Sequence, residues 1–178
     1  NNNPVSRALA VEALRLMGRV LQRAVDTPTD IEARSDMMLG SMLAGQAFAN
    51  SPVAAVHALA YPIGGHYKVP HGLSNALVLP HVLRFNAEVA PLAYAELLPH
   101  VFPQVSATGV GDAAVKFVEG MAALSRTSGL PQNLQDVGIE KEALPMLARD
   151  AMNQSRLLVN NPRPVDEAEA LAIYEAAW

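Results

Sequence analysis

The sequence contains no cysteine. That excludes a disulfide scaffold, a thiolate metal site and a cysteine nucleophile. Charge is scarce: Asp, Glu, Lys and Arg make up 17% of the residues, below the usual ~25%, which argues against a disordered chain. The 13 Lys and Arg are outnumbered by 17 Asp and Glu, for a net charge of −4. No basic footprint for nucleic acid or an anionic membrane is present. No apolar run approaches the ~20 residues of a membrane span, and no basic-then-apolar leader opens the chain. A cytoplasmic setting is the expectation that follows. Aromatics are only 5%, so the core must be built from small and aliphatic side chains. Enough of these are present: 51% of the 178 residues are apolar. A chain of this length buries about 70% of its unfolded surface, as one domain or part of one.

The chain opens Asn1-Asn2-Asn3-Pro4, without an initiator Met. It reads as a cut into a larger protein. Asn3 is a good cap and Pro4 a good first helical residue. Val5, Leu9, Ala13, Leu16, Met17 and Val20 follow at helical spacing, with Arg15, Arg19 and Arg23 on a more polar side. Thr27-Pro28-Thr29-Asp30 predicts a second start, with Thr27 as cap and Asp30 completing a capping-box variant. A Met- and Ala-rich helix then runs to about Asn50. Its Met37, Met38 and Met42 suit core gaps, the alternative being an adaptable binding face. A third helix is predicted from Val53 to about Ala60, ended or kinked by Pro62 and Gly64-Gly65. A fourth runs from Pro70-His71-Gly72 to about Phe85. Shorter helices follow over 91–100, 111–125, 140–154 and 165–177. No alternating β pattern is sustained. The expected fold is all-α, with about seven or eight helices in a single domain over 1–178.

Residues 51–86 carry the chemistry: SPVAAVHALAYPIGGHYKVPHGLSNALVLPHVLRFN. Four of the five histidines lie in this stretch. His57 sits on the third helix and His71 starts the fourth, with Pro62, Gly64, Gly65 and Pro70 expected to form a tight corner between them. Such a corner can bring imidazoles from two elements to one point. At a helix N-terminus the macrodipole disfavours a positive ring, so His71 is expected neutral, the form that ligates metal. Imidazole donors without sulfur suit iron or zinc. The competing reading is a pair of hydrogen-bonded core histidines. His81 lies ten positions past His71, roughly 80° around the helix, so the two should not share a ligand. Glu96 stands four before His100, on a later short helix with no reason to face the corner. A catalytic metal usually takes three protein ligands, so further ligands are expected upstream.

These residues resemble the C-terminal helical domain of the iron-containing (group III) alcohol dehydrogenases, of the dehydroquinate synthase-like fold. The resemblance rests on His57, Gly64, Pro70-His71-Gly72, Asn75-Ala76, Leu79-Pro80-His81 and Phe85-Asn86, with Asn161-Pro162-Arg163 before a last amphipathic helix. It implies that His57 and His71 are two of four ligands for Fe2+ (or Zn2+). The other two, an Asp and a His one turn later, would precede residue 1. An N-terminal α/β domain that binds NAD(P) would also lie outside this chain, which has no G-x-G-x-x-G of its own.

Where many members of that family carry a second His, this chain has Tyr61, as do members resembling the hydroxyacid–oxoacid transhydrogenases. Tyr61 is the candidate catalytic residue, donating a hydrogen bond to substrate or ribose; otherwise it is a packing residue. His66 is the candidate pocket residue. The activity implied is NAD(P)-dependent hydride transfer between an alcohol and an aldehyde or ketone. Alternatives are a maleylacetate reductase, a hydroxyacid–oxoacid transhydrogenase or an inactive helical fragment. Dehydroquinate synthase is disfavoured, because no Lys/Arg cluster for a phosphate-bearing substrate lies near the motif. The partners implied are a small-molecule alcohol, aldehyde or ketone and the nucleotide-binding domain, with a homodimer as one open assembly and neither nucleic acid nor membrane.

Overall fold

The computed structural model describes residues 3–178. Asn1 and Asn2, on which the reading of the opening as a cut rests, lie outside them. The helices are α1 (Pro4–Asp26), α2 (Ile31–Asn50), α3 (Ala55–Tyr67), α4 (His71–Ala87), α5 (Pro91–Ala95), α6 (Leu98–Val101), α7 (Val110–Thr127), α8 (Leu144–Ala151), α9 (Ser155–Leu158) and α10 (Glu167–Ala177). Short 3-10 turns fill some of the intervals, and no strand occurs among the described residues. The all-α expectation holds. The chain divides into two compact units, Asn1–Pro52 with Pro91–Gly120, and Val53–Ala90 with Met121–Trp178.

The first unit is built on the α1–α2 hairpin. Asn3 caps α1 as expected: its side chain accepts from the backbone N–H groups of Val5 and Ser6, both at 3.0 Å. The second start differs from the expectation. Thr27 closes α1 instead, its N–H donating to the Arg23 carbonyl at 2.8 Å. Asp30 is the cap of α2 and accepts from the Ala33 N–H at 2.9 Å. The reason lies in its surroundings: the Arg23 guanidinium binds the Asp30 carboxylate at 2.8 Å, fixing it at the end of α1. Arg19 pairs with Asp36, so the polar side of α1 faces acids on α2.

Between these helices, Gly40 is needed for close approach. A Cβ there would come 2.5 Å from Met17 Cγ. Gly120 likewise leaves room for the Phe102 ring, which a Cβ would meet at 2.5 Å. The core reading of the methionines fails, because Met38 is 74% and Met42 51% exposed, while Met37 is half-buried. Residues Ala33, Gly40 and Ala47 supply the buried face of α2 instead.

In the second unit, Leu59, Ile63, Val78, Val82, Leu134, Leu144, Leu147 and Tyr174 form the fully buried centre. Here α3 passes through Pro62 and Gly64-Gly65 and ends at Tyr67, seven residues beyond the expected end. An internal Pro costs about 3 kcal/mol. Burial of the flanking residues offsets it, since Leu59 and Ile63 are fully buried, each worth about 1.5–3 kcal/mol. The Tyr174 hydroxyl also donates to the Leu59 carbonyl at 2.6 Å, beside the interrupted ladder. Burial pushes this phenol well above the ordinary tyrosine range. Pro80 is similarly carried inside α4.

The Phe85-Asn86 and Asn161-Pro162-Arg163 segments hold each other. Buried Asn86 donates to Asn161 Oδ1 at 2.9 Å, and Asn161 returns a bond to Asn86 Oδ1 at 2.7 Å. The Arg163 guanidinium lies 3.9 Å from the centre of the Phe85 ring and pairs with Glu88. These motifs tie the last loop to the end of α4.

Candidate metal centre

The corner between α3 and α4 is three residues long. Lys68 adopts a left-handed conformation (φ 55°), the only described non-glycine residue with positive φ. Its N–H closes α3 on the Gly64 carbonyl at 3.1 Å. Pro70 sits at φ −53° and ψ 141°, and its carbonyl accepts the Ser74 N–H at 2.9 Å to start α4. The buried Ser74 hydroxyl bonds the carbonyls of Val69 and Pro70, both at 3.2 Å. The corner therefore lies at Lys68–Pro70, and Pro62 and Gly64-Gly65 belong to the helix before it.

This turn faces His57 with His71. Their ring centres are 5.3 Å apart at an interplanar angle of 53°. Tyr61, one turn after His57, lies 6.1 Å from the His71 ring and within 29° of parallel to it. His57 is half-buried, whereas His71 and Tyr61 are exposed. Burial, and secondarily the neighbouring His71, push the His57 pKa below the ordinary histidine value. Its ring is thus neutral near pH 7, as a ligand requires.

Two imidazoles on one ion at ~2.1 Å with a tetrahedral angle put their ring centres roughly 5 Å apart. The observed 5.3 Å fits that arrangement. No group of three or more His, Cys, Asp or Glu side chains gathers among the described residues. The described residues thus bring two imidazoles together here, and not three metal-ligating side chains.

The remaining histidines are elsewhere. His66 follows His57 by nine residues, about half a turn around the helix. Its Nε2 is 2.6 Å from an Asp150 oxygen on α8, so the structure does not bring it to the His57/His71 pair. His81 lines a groove of about 490 Å³ with Arg84, Phe85, Glu88, Arg163 and Glu169. Burial, and then Arg84, push the His81 pKa down. His100 lies on α6 in the first unit, where Glu96 pairs with Arg7.

One neighbour of the pair received no role from sequence reasoning. Asn75 touches His71 from one turn along α4: Nδ2 donates to the His71 carbonyl at 2.8 Å and lies 3.2 Å from ring Nε2. Its Oδ1 is buried with no donor, a state that costs about 1–3 kcal/mol. The i, i+4 spacing was the available signal.

This all-helical fold, with His57 in the first turn of α3 and His71 at the start of α4, is one that known proteins share. The chain belongs to the Fe-containing alcohol dehydrogenase family, whose C-terminal model it matches over residues 1–178. It is 42% identical over 178 residues to long-chain-alcohol dehydrogenase 1 of Geobacillus thermodenitrificans, covering 100% of this chain and 45% of that protein. It is 32% identical over 189 residues to the human mitochondrial hydroxyacid–oxoacid transhydrogenase, covering 99% of this chain and 40% of the relative. The solved structure of a 1,3-propanediol oxidoreductase superposes with a TM-score of 0.94 at 37% identity, covering 99% of this chain and 46% of that one. The chain thus spans somewhat less than half the length of these relatives. No described helix is long and apolar enough to cross a membrane.

Proposed function

We propose that this chain is the metal-holding helical part of an iron-dependent alcohol dehydrogenase. The observation that carries the reading is the His57/His71 pair, two imidazoles 5.3 Å apart across the α3–α4 corner. The coverage of less than half of each relative supports assigning the remaining ligands and the NAD(P) site to another part of the protein. When bound, the ion supplies Lewis-acid polarisation of an alcohol or carbonyl oxygen, and NAD(P) supplies the hydride exchange.

The chain's own residues have three tasks. His57 and His71 present ring nitrogens from two helices, and the corner sets their separation. The half-buried position of His57 excludes part of the surrounding water, which strengthens its interaction with a cation. Tyr61 offers a phenolic O–H beside the pair, able to donate a hydrogen bond to a substrate hydroxyl or a ribose. The imidazole donors suit zinc as well as iron, so metal analysis of the whole protein decides between them.

A second reading, hydroxyacid–oxoacid transhydrogenase, is favoured by Tyr61 at the position where members of that type carry Tyr. The test is turnover by the whole protein loaded with Fe2+. Reduction of aldehydes or ketones by NAD(P)H supports the dehydrogenase. Hydride exchange between a hydroxyacid and an oxoacid without added nucleotide supports the transhydrogenase. Neither activity, with the metal bound, would sink both.

A further inference from the structure

Asn75 stands four residues after His71, so the two side chains share the first turn of α4. Its Nδ2 donates to the His71 carbonyl at 2.8 Å, which fixes the orientation of the amide. The same nitrogen lies 3.2 Å from Nε2 and 3.5 Å from Nδ1 of the His71 ring. A donor nearly equidistant from both ring nitrogens cannot lie in the ring plane without running into Cε1. It therefore rests on the face of the ring. Such a contact orients the imidazole while leaving the in-plane direction of each nitrogen free. The ring's other neighbours are His57 at 5.3 Å and Tyr61 at 6.1 Å.

The acceptor end of the amide points the same way. Oδ1 is buried and has no donor. Buried polar groups are nearly always partnered, and exceptions call for an explanation at a working site. An asparagine kept only to stabilise α4 would not leave its carbonyl unmet. Leucine of similar size would fill the position without that cost.

We infer that Asn75 is a positioning residue: its amide fixes the His71 ring so that one nitrogen faces the ion shared with His57. This rests on the metal reading proposed above. It makes stability and metal affinity respond differently to one substitution. Removing the amide frees the ring to rotate but removes an unmet acceptor from the protein.

The experiment uses the whole protein and three variants, Asn75→Leu, Asn75→Ala and His71→Ala. Zn2+ and Co2+ affinities are measured by competition with a chelating dye. The ligand-field bands of the Co2+ form report coordination, and thermal melts report the metal-free protein. Asn75→Leu should weaken metal binding about 10–100-fold, the range for groups that orient a metal ligand. It should also change the Co2+ bands and leave the metal-free Tm unchanged or raised, with Asn75→Ala weakening binding likewise. Affinity within twofold of wild type would overturn the inference, as would a loss that merely follows a fall in the metal-free Tm. If His71→Ala binds metal as tightly as wild type, the metal reading itself fails and takes the inference with it.

Discussion

The α1–α2 corner is closed by an acid that caps a helix, while the α3–α4 corner has no side-chain cap where α4 begins. At the first, Asp30 accepts the Ala33 N–H and also binds Arg23, so one carboxylate serves two helices. At the second, Lys68 takes a left-handed conformation and Pro70 occupies the cap position. The first corner satisfies the free backbone groups of its helix end. The second leaves the first turn of α4 open toward His71, at the positive end of the helix. A corner that only joins helices can be optimised for stability. One that presents imidazoles carries strain, which the buried core beneath it must offset.

The largest test of that difference is to weaken the support. Ile63 is fully buried in α3, four residues before the helix ends. Ile63→Ala should cost about 2–5 kcal/mol of unfolding free energy in urea titrations. Metal affinity should fall with it; affinity unchanged at full stability loss would show that the core does not hold the corner's shape.

A smaller effect, opposite at the two corners, is expected from glycine. Lys68→Gly relieves the left-handed backbone and should raise stability by roughly 0.5–1 kcal/mol after glycine's own entropy cost. Thr27 closes α1 at φ −130°, where glycine gains nothing, so Thr27→Gly should lower stability. Equal changes at both sites would contradict the assignment of strain to the second corner.

The smallest effect concerns pH. The His81 pKa is depressed in the folded state by burial and then by Arg84, with Glu88, Arg163 and Glu169 also lining its groove. The neutral ring is therefore the form the fold favours. Its contribution is present above the unfolded pKa near 6.5 and is lost as pH falls through the lower folded value. His81→Gln should flatten part of the stability loss between about pH 7 and 5. His57 shifts in the same direction, so some of the slope should persist. An unchanged slope would remove His81 from the account.

How legible these features are in the sequence depends on how local their causes are. The Asn3 cap is read correctly because cap and N–H groups lie within three residues. The end of α3 is not, because Pro62 and the glycines speak locally for a stop, while Leu59 and Ile63 are buried by partners distant in sequence. Asp30 replaces Thr27 as a cap through Arg23, a contact seven residues back. The methionines of α2 suit a core by composition, and nothing in their spacing says which face is covered.

In the site, the expected corner and the family resemblance point to the meeting of His57 and His71, which their spacing alone does not dictate. The position of His66 could have been read from the helix period, since nine residues reverse the face. Its partner Asp150, 84 residues away, could not. Asn75 was visible as a motif residue, but its function depends on a ring contact that spacing alone does not define.

The central claim is that His57 and His71 hold one ion. Its most direct measurement is the metal content and Zn2+ affinity of the whole protein beside its His57→Ala and His71→Ala variants. One ion per chain is expected in the wild type, with a loss of about 100-fold or more in affinity for each variant. Each metal-free variant should keep a melting temperature close to wild type, since neither ring is fully buried. Full metal content in either variant would contradict the claim.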